Sequence, residues 1–195
     1  MSSHHIVRDE QEPAVLILSF PPKAQSKILD DLLEWSPTVI IPDYLTKEAV
    51  LLGLKFDIVL YRSFHADLKQ KLSGQFPLKF VQVDKGDWVE VAINSIIQSG
   101  HKALSVLVQN FDYKIKSKVE DFQTVYYDYL FKWYSINGIH KKWFKEGQLL
   151  KILGKQYKIQ GASQNPNGGS IHKVLKGGWV TITTSQTIWF GERII

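Results

Sequence analysis

The sequence predicts an α/β protein: an N-terminal three-layer domain on a mostly parallel sheet, followed by a small C-terminal all-β sandwich. Three observations carry this. Through the first two-thirds, short apolar runs alternate with helix-patterned stretches, the order that builds βαβ units. Several runs are apolar on consecutive residues, as strands buried on both faces are. From about residue 140 the pattern changes to short alternating runs and frequent turns, as in antiparallel strands. The expected domains are therefore 1–139 and 140–195.

The strands of the first part are expected at Ala14–Phe20, Thr38–Pro42, Asp57–Tyr61, Leu78–Val83, Ala103–Gln109 and Tyr129–Tyr134, all rich in Val, Ile and Leu or aromatic residues. Helices are expected between them. Ala24–Trp35 carries Ile28, Leu29, Leu32 and Leu33 on one stripe. Thr46–Leu52 reads as N-capped by Thr46 and stopped by Gly53. Ala66–Leu72 follows. Trp88–Ser99 spaces Val89, Ala92, Ile93, Ile96 and Ile97 by threes and fours and stops at Gly100. Ser117–Tyr127 puts Val119, Phe122, Val125 and Tyr126 on one side. In the last third, Leu149–Leu153, Gln156–Gln160, Trp179–Thr184 and Thr187–Phe190 alternate or are β-branched, and glycine-containing turns separate them. Trp179 and Trp189 are expected to fill the sandwich.

Composition narrows the function classes. The chain has 195 residues and no cysteine, which removes disulfide frameworks, thiolate metal sites and cysteine nucleophiles. Residues 1–100 hold 10 basic and 13 acidic side chains, whereas residues 101–195 hold 14 and 6. The basic half hints at an anionic partner. Lys114, Lys116 and Lys118 are a weak footprint for one, and so are the aromatic-basic residues 141–145; their lysines read as scattered over edges and turns, so a nucleic-acid role ranks last. The early apolar run Ala14–Leu18 is too short to span a membrane and follows acidic residues, so a cytoplasmic protein is expected. His4 and His5 read as a solvated N-terminus.

No familiar catalytic motif is present. There is no G-x-G-x-x-G and no G-x-x-x-x-G-K-[ST], and the first strand runs into Ser19-Phe20-Pro21-Pro22, where two prolines offer no N–H to an anion. Nor is there a G-x-S-x-G or an H-E-x-x-H. His65 with Arg62 is a candidate anion site, because α/β sheets bind ligands at strand carboxyl ends; a solvated loop is the competing reading.

Three stretches carry a family resemblance: residues 2–14 (SSHHIVRDEQEPA), Leu32-Leu33-Glu34-Trp35-Ser36-Pro37, and Gly53-Leu54-Lys55-Phe56-Asp57. Together they resemble the thiamin pyrophosphokinases of a bacterial type. That resemblance implies an α/β domain followed by a β-sandwich, a homodimer, and pyrophosphoryl transfer from ATP to thiamin with magnesium. It places nucleotide contacts at Asp43 and Asp87 and a thiamin contact at Ser170, with Asp87 read in preference as the cap of the helix starting at Trp88. Arg62, which stands where the family has an acid, is a nucleotide-binding candidate as a direct anion contact.

The family's motifs are degenerate here. Its Asp-Gly pair reads Asp43-Tyr44, and its Gly-Asp-x-Asp-Ser reads Tyr61-Arg62-Ser63-Phe64-His65. Its Lys-x-Thr-Asp falls at Lys85-Gly86-Asp87-Trp88, with Asp87 on either the threonine or the aspartate. The glycine-rich turn reads Gln109-Asn110-Phe111-Asp112, and of a Ser-Asn pair in the β domain only Ser170 remains. Arg62 and Phe64 cannot hold magnesium, and tyrosines fill space where phosphate would approach glycine backbone. The expectation is a member that has lost catalysis, with no catalytic or metal-binding residue. The alternatives are an active kinase whose acids (Asp43, Asp57, Asp84, Asp87) converge in a rearranged site, and a non-enzymatic dimeric interaction module.

Overall fold

A computed structural model describes residues 12–63, 66–84, 86–112, 122–163 and 170–194. They form two compact units, one of residues 12–109 and 122–125, the other of residues 110–112 and 126–194.

The first unit holds five parallel strands: β1 (Ala14–Ile17), β2 (Val39–Pro42), β3 (Ile58–Tyr61), β4 (Lys79–Gln82) and β5 (Ala103–Leu107). Their order is β5-β1-β2-β3-β4, with Val15 flanked by Val39 on one side and Ser105 on the other. The consecutive apolar residues of β1, β2 and β3 are buried throughout or nearly so, the reason such strands lack alternation. The chain lays β2, β3 and β4 to one side of β1 and then returns to place β5 on the other. That reversal is a topological switch point, and its carboxyl end is where open α/β sheets bind ligands.

Four helices accompany these strands: α1 (Lys27–Leu33), α2 (Thr46–Leu51), α3 (Ala66–Lys71) and α4 (Trp88–Ile97). In α4 the residues Val89, Ala92, Ile93 and Ile96 are buried, and Asp87 caps the helix by accepting from Val89 N at 3.3 Å. Gly53 sits at φ 68° after α2, and Leu54 N closes back onto Ala49 O at 2.9 Å, so the glycine ends the helix as expected. Thr46 does not cap α2. Its hydroxyl instead donates to Asp43 O at 2.7 Å, locking the turn that leads into the helix. The expected Ala24–Trp35 helix divides into a 3-10 turn at Lys23–Gln25 and α1.

The expected helix Ser117–Tyr127 is corrected by β6 (Gln123–Tyr127); residues 117–121 lie outside the described residues. Thr124 and Tyr126 are buried while Gln123 is exposed, a period of two carried by β-branched and aromatic side chains. A tight turn follows. Asp128 Oδ1 accepts from Leu130 N and Phe131 N at 2.9 and 2.7 Å, and its Oδ2 accepts from Trp133 Nε1 at 2.7 Å. Tyr129 and Leu130 therefore belong to the turn, and the strand expected at Tyr129–Tyr134 starts at Phe131.

That strand, β7 (Phe131–Phe144), runs unbroken past residue 140, so the expected 139/140 boundary falls inside it. The remaining strands of the second unit are β8 (Leu149–Leu153), β9 (Tyr157–Gln160), β10 (Ile171–Lys173) and β11 (Gly178–Arg193). All pair antiparallel. Strand β11 follows β7 for its whole length, with a register shift between Thr184 and Ile188. Its first half pairs with β9 and its second half with β8. Residues of both halves, among them Val180, Ile182, Ile188 and Phe190, share one core with Ile136, Phe144, Leu150, Ile152 and Ile159. Trp189 packs among Phe111 and Tyr126, with centroids 4.8 and 5.6 Å away. Trp179 does not fill this core: it is 61% exposed. Val180, Ile182 and Thr184 take the inward phase of β11, which turns Trp179 outward. Among the described residues no helix is long and apolar enough to cross a membrane.

Candidate ligand site at the strand carboxyl ends

The segments that follow β1, β2 and β3, together with the start of α4, gather a small set of side chains. Strand β2 ends at Pro42, and Asp43 opens a 3-10 turn in which Asp43 Oδ1 accepts from Tyr44 N at 2.8 Å. This turn swings Tyr44 across the strand ends. The Tyr44 hydroxyl donates to Leu18 O at 3.2 Å, and Leu18 N itself donates to Leu107 O at 2.9 Å, so Tyr44 is tied to the switch point between β1 and β5. The Tyr44 ring meets Trp88 edge-on, with centroids 5.9 Å apart and planes at 75°. From the end of β3, Arg62 places its guanidinium carbon 5.2 Å from the Trp88 ring centroid.

Partial burial pushes the Tyr44 phenol above its ordinary range, and the nearby Asp43 charge adds to the effect. The phenol is therefore a neutral donor at physiological pH. Arg62 forms no ion pair with any described residue. The cation–π contact seats the guanidinium beside Trp88, and a guanidinium's N–H fork is suited to phosphate or carboxylate.

The structure thus brings Asp43, Arg62 and Asp87 to one end of the sheet. Asp87 engages Val89 N as a helix cap. Ser170 lies in the other unit, where its carbonyl accepts from Ile152 N at 2.8 Å ahead of β10. His65, Lys114, Lys116 and Lys118 lie outside the described residues. The four acids of the rearranged-site alternative do not converge: Asp57 precedes β3 at its amino end, where Oδ2 accepts from Val39 N at 2.8 Å. It lines a cleft of about 430 Å³ with Ser36, Thr38 and Lys55, away from the carboxyl ends. The residues that sequence reasoning did not assign to the site are Tyr44 and Trp88. Each directly follows one of the acids singled out, and that adjacency was the available signal.

The donor set does not fit magnesium. A hard cation needs several converging oxygens, whereas Asp43 and Asp87 each direct one oxygen to a local main-chain N–H. Their companions are a phenol, an indole and a permanently charged guanidinium, a set that fits an anion beside an aromatic ring.

No protein-family model matches the chain, and no curated protein matches it in sequence. Solved structures do match in fold. A protein from Lactobacillus plantarum aligns with a TM-score of 0.68 at 12% identity, covering 94% of this chain and 99% of its own. The thiamin pyrophosphokinase of Geobacillus thermodenitrificans gives 0.65 at 12% identity, covering 92% of this chain and 96% of its own. The thiamine pyrophosphokinase of Bacillus subtilis gives 0.61 at 10% identity, covering 92% and 98%. The fold is therefore that of thiamin pyrophosphokinases.

Proposed function

We propose that this chain is a thiamin pyrophosphokinase-like protein that binds an anionic ligand of the nucleotide or thiamin-phosphate class at its strand carboxyl ends and has lost pyrophosphoryl transfer. The observation that carries the reading is the Tyr44–Trp88–Arg62 cluster, set at the switch point of a fold shared with those kinases. Phosphoryl transfer is largely positioning plus stabilisation of charge by metal ions and fixed donors. Here the guanidinium stands in for metal charge when phosphate binds, but it supplies neither the metal template nor the activation of a hydroxyl. The reading includes a cytoplasmic homodimer whose β unit, through Ser170, contributes to recognition of the thiamin part.

A thermal-shift comparison tests it, because a ligand that binds only the folded state raises apparent stability. ATP, AMP, thiamin and thiamin diphosphate are each added to the pure protein. A rise in Tm with at least one phosphorylated compound supports the ligand site, and no rise with any of the four removes it. Robust AMP release from ATP, magnesium and thiamin overturns the loss of catalysis.

A further inference from the structure

The outward face of the second unit is a three-stranded surface of β9, β11 and β7, organised in cross-strand rows. Trp143 stands directly opposite Trp179. The next row runs Lys141–Thr181–Gln160, and the third Ile139–Thr183–Lys158. Rows two residues apart along a strand are spaced by about 7 Å. Trp143 and Trp179 are 55% and 61% exposed, and Ile139 is 75% exposed. Burying large aromatics is strongly favourable, so two adjacent tryptophans left in solvent on one flat face mark an interaction surface.

The surroundings say what kind of partner fits. Residues 126–195 hold ten Lys and Arg against three Asp and Glu. Of those three acids, Glu192 is spent on Lys142, at 2.6 and 2.8 Å, and on the Tyr134 hydroxyl, and Asp128 is spent in its turn. Lys141 and Lys158 rise from the face itself, and Lys141 Nζ sits 5.1 Å from the Trp179 centroid. Self-association through this face would press like charges together, which disfavours a second copy as its occupant. Stacking platforms interleaved with lysines match a flexible polyanion that carries flat rings.

We infer that this β9–β11–β7 face binds single-stranded nucleic acid, with Trp143 and Trp179 stacking on bases and Lys141 and Lys158 contacting phosphates. Read as sequence, the basic residues are scattered; read in register, two of them share a face with a tryptophan pair, Lys141 one row from it and Lys158 two rows from it. The surface lies wholly in the second unit.

Fluorescence anisotropy with labelled dT and rU oligonucleotides of about 20 nucleotides, and a DNA duplex of equal length, tests the inference across a salt series. Binding to one or both single strands, weaker binding to the duplex, and a linear fall of log K with log salt are expected. The two single-stranded arms distinguish DNA from RNA. Trp143→Ala and Trp179→Ala are each expected to weaken binding about 5- to 150-fold, while Trp179→Phe retains most of it. Lys141→Gln with Lys158→Gln flattens the salt slope. All are exposed positions, and thermal melts confirm that each variant is folded. Absence of binding at low salt, or binding that the tryptophan variants leave intact, overturns the inference. So does a change of oligomeric state caused by those variants, which would assign the face to a second copy.

Discussion

The Arg62 guanidinium rests 5.2 Å from the centroid of the Trp88 ring, joining the end of β3 to the first turn of α4. Such a cation–π pair is worth about 0.5–1 kcal/mol when exposed, too little to be a reason for the fold. Its consequence is orientation: a charged fork with no ion-pair partner among the described residues is held beside the edge-on Tyr44–Trp88 pair. Arg62→Gln is therefore expected to leave the unfolding midpoint almost unchanged. It should reduce affinity for any phosphorylated compound that stabilises the protein by about 10- to 100-fold, the range of a lost charge-assisted hydrogen bond. Calorimetric titration of parent and variant with the same compound checks this. Equal affinities would move the anion contact elsewhere.

Asp128 gives a stability prediction of the opposite character. Its two oxygens take three donors, one of them the indole N–H of Trp133, whose side chain is buried. Asp128→Ala strands these donors and is expected to cost about 3 kcal/mol, because an unsatisfied buried donor forfeits its full desolvation. Asp128→Asn keeps an acceptor for the two main-chain N–H groups but presents an amide to the indole, so about half that loss is expected. Urea unfolding of the three proteins, with unchanged m-values, reads the series.

The parallel strands were legible because burial on both faces is written directly into the sequence: Ala14–Ile17 and Ile58–Leu60 admit no polar residue. The segment ending at Tyr127 was not, since Phe122, Val125 and Tyr126 satisfy a helical spacing as well as a strand. The pairing of Tyr126 with Trp133 decides between them, and that is a contact outside the segment. The length of β7 was not legible either, because its 14 residues are held together by pairing with β11, a contact outside the segment. At the candidate site, Asp43 and Arg62 were legible as residues following strands. The meeting of Tyr44 with Trp88, 44 positions away in the sequence, was not, because it depends on which strands lie side by side. Trp179 was misplaced for want of phase: Val180 and Ile182 already claimed the inward side of the strand.

Gly191 is a point of close packing in the second unit. A Cβ there would stand 2.7 Å from two ring carbons of Trp133 on the neighbouring strand. The Trp133 ring has little room to yield, since it stacks on Phe111 at 4.8 Å and its indole N–H is fixed by Asp128. Gly191→Ala is expected to destabilise by about 1–3 kcal/mol through overpacking. Gly74→Ala, where an added Cβ meets nothing within 4 Å, is the control and should change stability by less than about 0.5 kcal/mol. If thermal melts gave both variants the same midpoint, the close approach of Gly191 to Trp133 would be wrong.

His140 predicts how stability follows pH. Tyr134 donates its hydroxyl to Glu192, which also accepts from Lys142, so the phenol oxygen is left to accept from His140 Nε2 at 3.2 Å. The groups facing the imidazole are Tyr134, Glu192 and Lys142, with Phe190 against its ring at 5.6 Å. Burial holds its pKa below the ordinary value, with Glu192 opposing and Lys142 reinforcing that shift. Because the folded pKa lies below the unfolded one, the unfolded chain binds the proton more readily. The contribution of neutral His140 is thus fully present above the unfolded pKa of about 6.5, and it is lost as pH falls through the lower folded value. The test is a difference between two proteins. The stability gap between the parent and His140→Gln should shrink from pH 8 to pH 5. A gap that stayed constant over that range would mean that His140 is not buried as a neutral imidazole.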